Sequence, residues 1–322
     1  MDSIIKEKIV IGELDKNINY LNVAYGVDEN FLFGAGISIC SLLLNNNNFF
    51  KFHLVTDYID NQFMECLKKI NEKYKSQIIV YLLEPNELKK LPTSAVWSYA
   101  TYFRFFIFDF LCEQEKSVLY LDADIVCKGS LLNLLKIKFE NEYAAVILDV
   151  DEMQKNCESR LNIYGYKGKY FNAGVIFLNL QMWKKEIFTK KAFEMIQERK
   201  LKYLDQDALN ILFDRNNIYL DRDYNCIYTL KNELKKINYQ DYIKKSTILI
   251  HYTGATKPWH YWGIDYPASK PFKDAFENSP WKELPLKGAQ KKVEYQERYK
   301  HELRQKKIIK GLISLVKYKY FK

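Results

Sequence analysis

Apolar residues come in short runs through the first half of the chain, and these runs alternate with stretches whose apolar positions recur every three to four residues. "LNVAYGV" (21–27), "FKFHLVT" (50–56), "QIIVYLL" (77–83) and "SVLYLDAD" (117–124) have the length and the β-branched or aromatic content of buried strands. Between them, 37–45, 60–75 and 94–112 carry helical spacing, with Asp60 and Ser94 as capping residues. Such alternation predicts an α/β fold, a largely parallel sheet with helices on both faces. Ligands of such sheets sit beyond the carboxyl ends of the strands, where Asp28, Asp57, Asp122 and Asp124 all fall. Further on, "YAAVILDVD" and "YFNAGVIFLNL" read as strands and "LKYLDQDALNILF" as the start of a helix. "STILIHYTGATKPWHYWG" reads as a strand running into a loop rich in Gly, Pro and Trp, and from about 290 the chain becomes a charged helix.

Composition narrows the class. The 322 residues are 48% hydrophobic and 16% aromatic, enough for a sizeable core and too apolar for a disordered chain. No apolar run approaches the ~20 residues of a membrane span, and charges interrupt "MDSIIKEKIVIGELDK" too often for a secretory signal. The six cysteines show no CxxC or zinc-like spacing, which predicts reduced, buried thiols. Residues 287–322 hold twelve basic and three acidic side chains, a net charge equal to the +9 of the whole chain. A neutral body with a basic tail predicts an anionic partner for the tail. No nucleic-acid-binding motif occurs in the body.

Candidate chemistry begins at Asp122-Ala123-Asp124. In extended chain, residues i and i+2 point to one side, so two carboxylates would meet there and repel unless a cation or strong donors lie between them. Asp149-Val150-Asp151 and Asp221-Arg222-Asp223 have the same form, and Asp is common at strand ends. Arg222 partly neutralises the third pair, while local pattern does not rank the first two. Among four histidines, His53 lies within a strand pattern and reads as a sheet residue, and His301 lies in the basic helix and reads as solvated. His251 ends the run "ILI" and opens the loop holding Gly254 and Lys257. A carboxylate pair with one imidazole suits Mn2+ or Mg2+ with positions left for phosphate oxygens.

Five segments, "NVAYGVDENFLFG", "VLYLDAD", "YFNAGV", "LDQDALN" and "HYTGATKPWH", stand in an order and spacing that resembles glycosyltransferase family 8 over about residues 20–285. The first of these and "ATYFRF" are similar to the lipopolysaccharide core α-glycosyltransferases within it. The resemblance implies a GT-A fold, a Rossmann-like mixed sheet with helices on both faces, and retaining, metal-dependent transfer of glucose or galactose from UDP-glucose or UDP-galactose to a lipopolysaccharide core acceptor. It implies Asp122, Asp124 and His251 as metal ligands, in preference to the other Asp pairs, with Ala123 between them at the nucleotide. Lys257 would add charge at the diphosphate, and Gly254 would let backbone approach it. Gly26, Val27, Asp28 and Asn30 would meet uracil and ribose, with Phe31 stacking where relatives often carry Tyr. Arg104, Asn172, Ala173, Gly174, Asp205 and Gln206 would contact the donor hexose. Gln206 would lie nearest the anomeric carbon, which favours front-face attack; a covalent route through Asp207 or Asp205 stays open. Another glycan or a protein as acceptor, or a sugar-nucleotide-binding module without catalysis, are the competing readings.

The expected organisation is an N-terminal extension (1–19), a catalytic domain (20–285) and a basic tail (286–322). In 306–321 apolar residues at 308, 309, 312, 313, 316 and 320 form a helical stripe among lysines. Such a helix suits an anionic membrane surface, and predicts a cytoplasmic protein peripheral on the inner membrane. The competing expectation is a helix packed on the domain with its lysines in water.

Overall fold

A computed structural model of the chain describes residues 4–14, 19–47, 49–94, 98–163, 165 and 169–321. Its first half runs β1 (Ile5–Ile11), β2 (Tyr20–Val27), α1 (Glu29–Asn45), β3 (Phe49–Thr56), α2 (Asn61–Tyr74), β4 (Gln77–Leu83), α3 (Phe103–Leu111), β5 (Ser117–Leu121) and β6 (Ile125–Cys127). There follow β7 (Ala144–Leu148), α4 (Asp151–Lys155), α5 (Cys157–Leu161), β8 (Phe171–Asn179), α6 (Leu180–Lys185), α7 (Phe188–Glu198), α8 (Leu204–Phe213) and β9 (Asn217–Leu220). The chain closes with β10 (Cys226–Thr229), β11 (Leu249–Thr253), α9 (Lys270–Glu277), α10 (Lys292–Arg304) and α11 (Ile308–Lys319).

Eight strands form a mixed sheet in the order β1-β4-β3-β2-β5-β8-β7-β9, and β10-β11-β6 form a second, small sheet. The strands β4, β3, β2 and β5 are parallel, β8 runs against β5 and β7, and β1 runs against β4. Alternate side chains of each central strand enter opposite cores, as the period of two requires. Val23, Tyr25, Leu119 and Leu121 face the layer of α1 and α2, while Ala24, Val118 and Tyr120 face that of α3 and α7. This is the expected mixed sheet, a GT-A-like α/β fold.

Several local expectations change. The extension contributes β1, an edge strand with Lys6, Glu7 and Lys8 in its outward sequence "IKEKIVI", charges that discourage further pairing. The helix expected over 37–45 begins at Glu29 and is capped by Asp28, whose Oδ1 accepts from the Asn30 N–H. Its buried face spans Leu32 to Leu43 without a polar stripe, so no amphipathic period marks its start. The helix expected over 94–112 is a 3₁₀ turn at Tyr99–Tyr102 and α3; part of that expectation, 95–97, lies outside the described residues. The strand expected to run through Asp124 stops at Leu121. His301, expected in solvent, is fully buried in α10 with Nδ1 2.8 Å from the Tyr266 hydroxyl. The charged tail is a helical hairpin rather than one helix, turning at Lys306 with φ +62°.

Candidate active site

Asp122 and Asp124 converge through a turn, not through an extended strand. The chain leaves β5, the Ile125 N–H donates to the Asp122 carbonyl at 3.2 Å, and β6 carries it into the small sheet beside β11. Parallel pairing of β10 with β11 and antiparallel pairing of β11 with β6 set His251 opposite Ile125. One ligand atom from each of Asp122, Asp124 and His251 then lies within 4.8 Å of the others, a grouping unique among the described residues. His251 Nε2 is 3.1 Å from Asp124 Oδ1 and 3.9 Å from Asp122 Oδ2. That Asp124 oxygen is buried and accepts no aligned hydrogen bond. Burial opposes charge on the imidazole, yet Asp124 and Asp122 outweigh it and raise its pKa. Burial likewise opposes charge on Asp124, and Lys257 with His251 holds it well below the usual carboxylate range.

These residues fit a divalent cation. Two carboxylates and one imidazole offer hard oxygen and nitrogen donors, and the unaligned Asp124 oxygen faces the cluster's interior. His251 Nδ1 lies 3.2 Å from Asn225 Oδ1, which leaves Nε2 as the ligand atom. Asn225 is buried and precedes β10; no local sequence signal marks it. Any residue larger than glycine at 174 would drive its Cβ into the His251 ring. In the same place Gly174 accepts from the Asp122 N–H through its carbonyl.

Two cations complete the cluster. Lys257 Nζ donates to Asp124 Oδ2 at 2.5 Å and to the Tyr252 carbonyl at 2.7 Å. Gly254, φ +90°, turns the chain ahead of it in the left-handed region that side chains avoid. Arg104 is buried with its guanidinium 4.3 Å from the Tyr120 ring centroid. It donates from Nη1 to the Ala173 carbonyl and from Nη2 to Asp122, and its Nε lies 3.1 Å from Asp205 out of hydrogen-bond alignment. Arg104, expected at the donor hexose, also braces Asp122.

The second half of the site centres on Gln206, in the first turn of α8. Its Oε1 accepts from the Ala173 N–H at 3.0 Å and from Asn172 Nδ2 at 3.2 Å. Its Nε2 donates to Asp149 Oδ2 at 3.0 Å and to the Tyr170 hydroxyl at 3.1 Å. Asn172 also joins the two halves, because its Oδ1 accepts from Asn225 Nδ2. Asp149, whose pair local pattern did not rank below Asp122 and Asp124 and which the resemblance passed over as a metal ligand, is a buried partner of Gln206; Asp221 belongs to no metal-ligand grouping among the described residues.

Neither proposed nucleophile is open. Asp207 is 1% exposed and receives the Arg160 guanidinium, the Tyr170 hydroxyl and the Tyr203 N–H. Asp205 is buried between Arg104 and the Thr101 hydroxyl, and it does not cap α8. Burial pushes its carboxyl upward against the pull of Arg104. At the other edge, Asp28 accepts from Ser98 Oγ at 2.9 Å and Phe31 packs edge-on against Trp259, with ring centroids 5.8 Å apart. Gly26 and Val27 end β2, and Ala123 is buried in the turn between Asp122 and Asp124.

Comparison with known proteins agrees with this geometry. A family model described as Glycosyl transferase family 8 matches residues 22–263, and one described as Glycosyl transferase family 8 C-terminal matches 266–322. A lipopolysaccharide 1,2-glucosyltransferase of Escherichia coli is 44% identical over 309 residues, covering 94% of this chain and 91% of its own. A lipopolysaccharide 1,3-galactosyltransferase of Salmonella typhimurium is 38% identical over 328 residues, covering 97% and 96%. The fold is similar to that of the galactosyltransferase LgtC, solved with donor and acceptor sugar analogues, at a TM-score of 0.68 and 21% identity over 81% of this chain and 99% of that one. With both family models together spanning nearly all of its length, the chain belongs to glycosyltransferase family 8.

Proposed function

We propose that the protein is a retaining, metal-dependent hexosyltransferase that moves glucose or galactose from its UDP-sugar to a lipopolysaccharide core acceptor. The observation that carries this reading is the joining of Asp122, Asp124 and His251 to Gln206 through Asn225 and Asn172. The names of the curated relatives support the donor hexose and the acceptor class. Asp122, Asp124 and His251 would hold a divalent cation, which would supply positive charge to the diphosphate leaving group. Lys257 adds a second positive charge there. The anomeric C–O bond breaks with its electron pair going to the β-phosphate oxygen of UDP. The acceptor hydroxyl forms the new C–O bond from the same face and passes its proton to the departing phosphate. Gln206 lines the side of the sugar where positive charge develops, and Asp149, which fixes that amide, supplies the negative charge the amide lacks. Both closed carboxylates, Asp205 and Asp207, favour this front-face course over a covalent one.

The uridine end would lie over Gly26, Val27, Asp28, Asn30 and Phe31. The acceptor end would be met at a membrane, with α11 as the contact. Its Ile308, Ile309, Leu312, Ile313, Val316 and Tyr320 are each more than half exposed. Lys310, Lys317 and Lys319 lie beside them, and no helix among the described residues is long and apolar enough to cross the bilayer. We therefore read the protein as cytoplasmic and peripheral on the inner membrane.

Release of UDP from UDP-glucose and UDP-galactose, with Mn2+ and a defined truncated core oligosaccharide, tests the reading. Acceptor-dependent release that EDTA abolishes is the expected result. Full activity in EDTA, or no release with either donor, would reject it.

A further inference from the structure

The loop that presents Lys257 is held from behind by residues that follow the body of the domain. The Lys257 N–H donates to His260 Nδ1 at 3.1 Å, and the His260 ring stacks on Trp262 with centroids 4.2 Å apart. Trp262 is fully buried, and its carbonyl accepts from Gln305 Nε2, just past α10, at 2.7 Å. Arg298 of α10 covers the ring of the neighbouring Tyr261 at 4.6 Å. The segment leading into α10 takes part as well. The Lys287 N–H donates to the Trp259 carbonyl at 2.9 Å, and its Nζ reaches the Asn30 carbonyl at 2.5 Å in the first turn of α1. A surface anchor has no need of these contacts. Each ends on the loop carrying Lys257 or on the Asp28–Phe31 turn.

We infer that α10 and the segment leading into it are part of the donor-phosphate apparatus, with His260 and Gln305 as positioning residues that hold Lys257 in register with Asp124. A lysine on a loop samples many positions, and its charge helps a diphosphate only where the two meet. The neutral His260 ring, with its Nδ1 accepting, fixes the Lys257 backbone. Gln305 in turn fixes Trp262, against which that ring lies. The reading rests on the diphosphate site proposed above. It adds that the C-terminal hairpin contributes to donor affinity even when no membrane is present.

The test is UDP binding by calorimetry, in the full chain, with Mn2+. Gln305→Met keeps the shape and removes the donor; we expect UDP to bind about 2–10-fold more weakly, the worth of one hydrogen bond. In a Lys257→Ala background the same substitution should leave affinity within about 1.5-fold, because the residue it acts through is gone. His260→Asn, whose Oδ1 can accept in place of Nδ1, should bind UDP more tightly than His260→Leu. Ile309→Ser, on the outer face of α11, should bind as the wild type does. An equal loss in both Lys257 backgrounds, or no loss from Gln305→Met, overturns the proposal while leaving the donor site intact. If Gln305→Met does not fold, the His260 pair decides, and equal affinities overturn it. A wild-type protein that ignores UDP in Mn2+ overturns the donor-site reading, and this proposal with it.

Discussion

Asp149, which local sequence pattern did not separate from Asp122, meets Gln206 across 57 residues of chain. Asp149→Asn should lower kcat at least about 10-fold in soluble-acceptor assays, since a charge facing a developing cation is worth more than 1.4 kcal/mol. The KM for the UDP-sugar should move less than about threefold; a KM effect with kcat intact would assign Asp149 to binding alone. Gln206→Ala should cost about 10–1000-fold in kcat and leave residual turnover. A glycosyl group trapped on Asp207 during turnover would refute the front-face course. Asp124→Ala and His251→Ala should each abolish metal-dependent turnover with folding retained, as read by circular dichroism. The Asp122, Asp124 and His251 grouping was legible only with the family resemblance, because residue type and order left Asp149-Val150-Asp151 an equal candidate. Asp149, Asn225 and His260 were not, because each acts on another side chain brought near by sheet register or loop closure. A carboxylate after "AAVIL" looks the same whether it faces water or an amide.

At the scale of elements, α11 docks on α10 through its smallest residues. A Cβ at Gly311 would come within 2.7 Å of Leu303, and the Ser314 hydroxyl donates to the buried Glu302 at 2.6 Å. The small face turns inward and the apolar stripe outward, the reverse of a helix that packs its hydrophobic side on the domain. The stripe was readable in the sequence, but its direction was not. Ile309→Asp with Leu312→Asp should release the protein from phosphatidylglycerol vesicles at ~0.1 M salt, while soluble-acceptor turnover stays within about twofold. Equal sedimentation of variant and wild type would remove α11 as the anchor. Strands with a buried period of two were read within a few residues. The start of α1, apolar on most sides, and the charged edge strand β1 were missed because neither shows the contrast that periodicity needs.

Across the whole molecule, three histidines are buried in the neutral form. Burial lowers His53 to about 3, His260 to about 3 and His301 to about 4. Their unfolded value is about 6.5, so below that pH the unfolded chain binds protons that the fold refuses. Stability is fully present above about pH 7 and falls as pH drops, by about 2 kcal/mol per histidine at pH 5. His251, whose pKa is raised, works in the opposite direction, and the three outweigh it. Urea unfolding at pH 7.5 and pH 5.0 should differ by several kcal/mol, and His53→Gln should flatten the slope by about one proton. Equal midpoints at the two pH values would show that these rings are not held neutral.

The hairpin's hold on the Lys257 loop also bears on how the chain is made. Synthesis delivers the sheet, the carboxylates and His251 first, and domains fold as they emerge. Gln305 follows them in the chain, between α10 and α11. A nascent chain can therefore assemble its body on the ribosome while the Lys257 loop still lacks its brace. On the proposal above, affinity for UDP should then rise only when the hairpin closes on that loop, after the body has already folded.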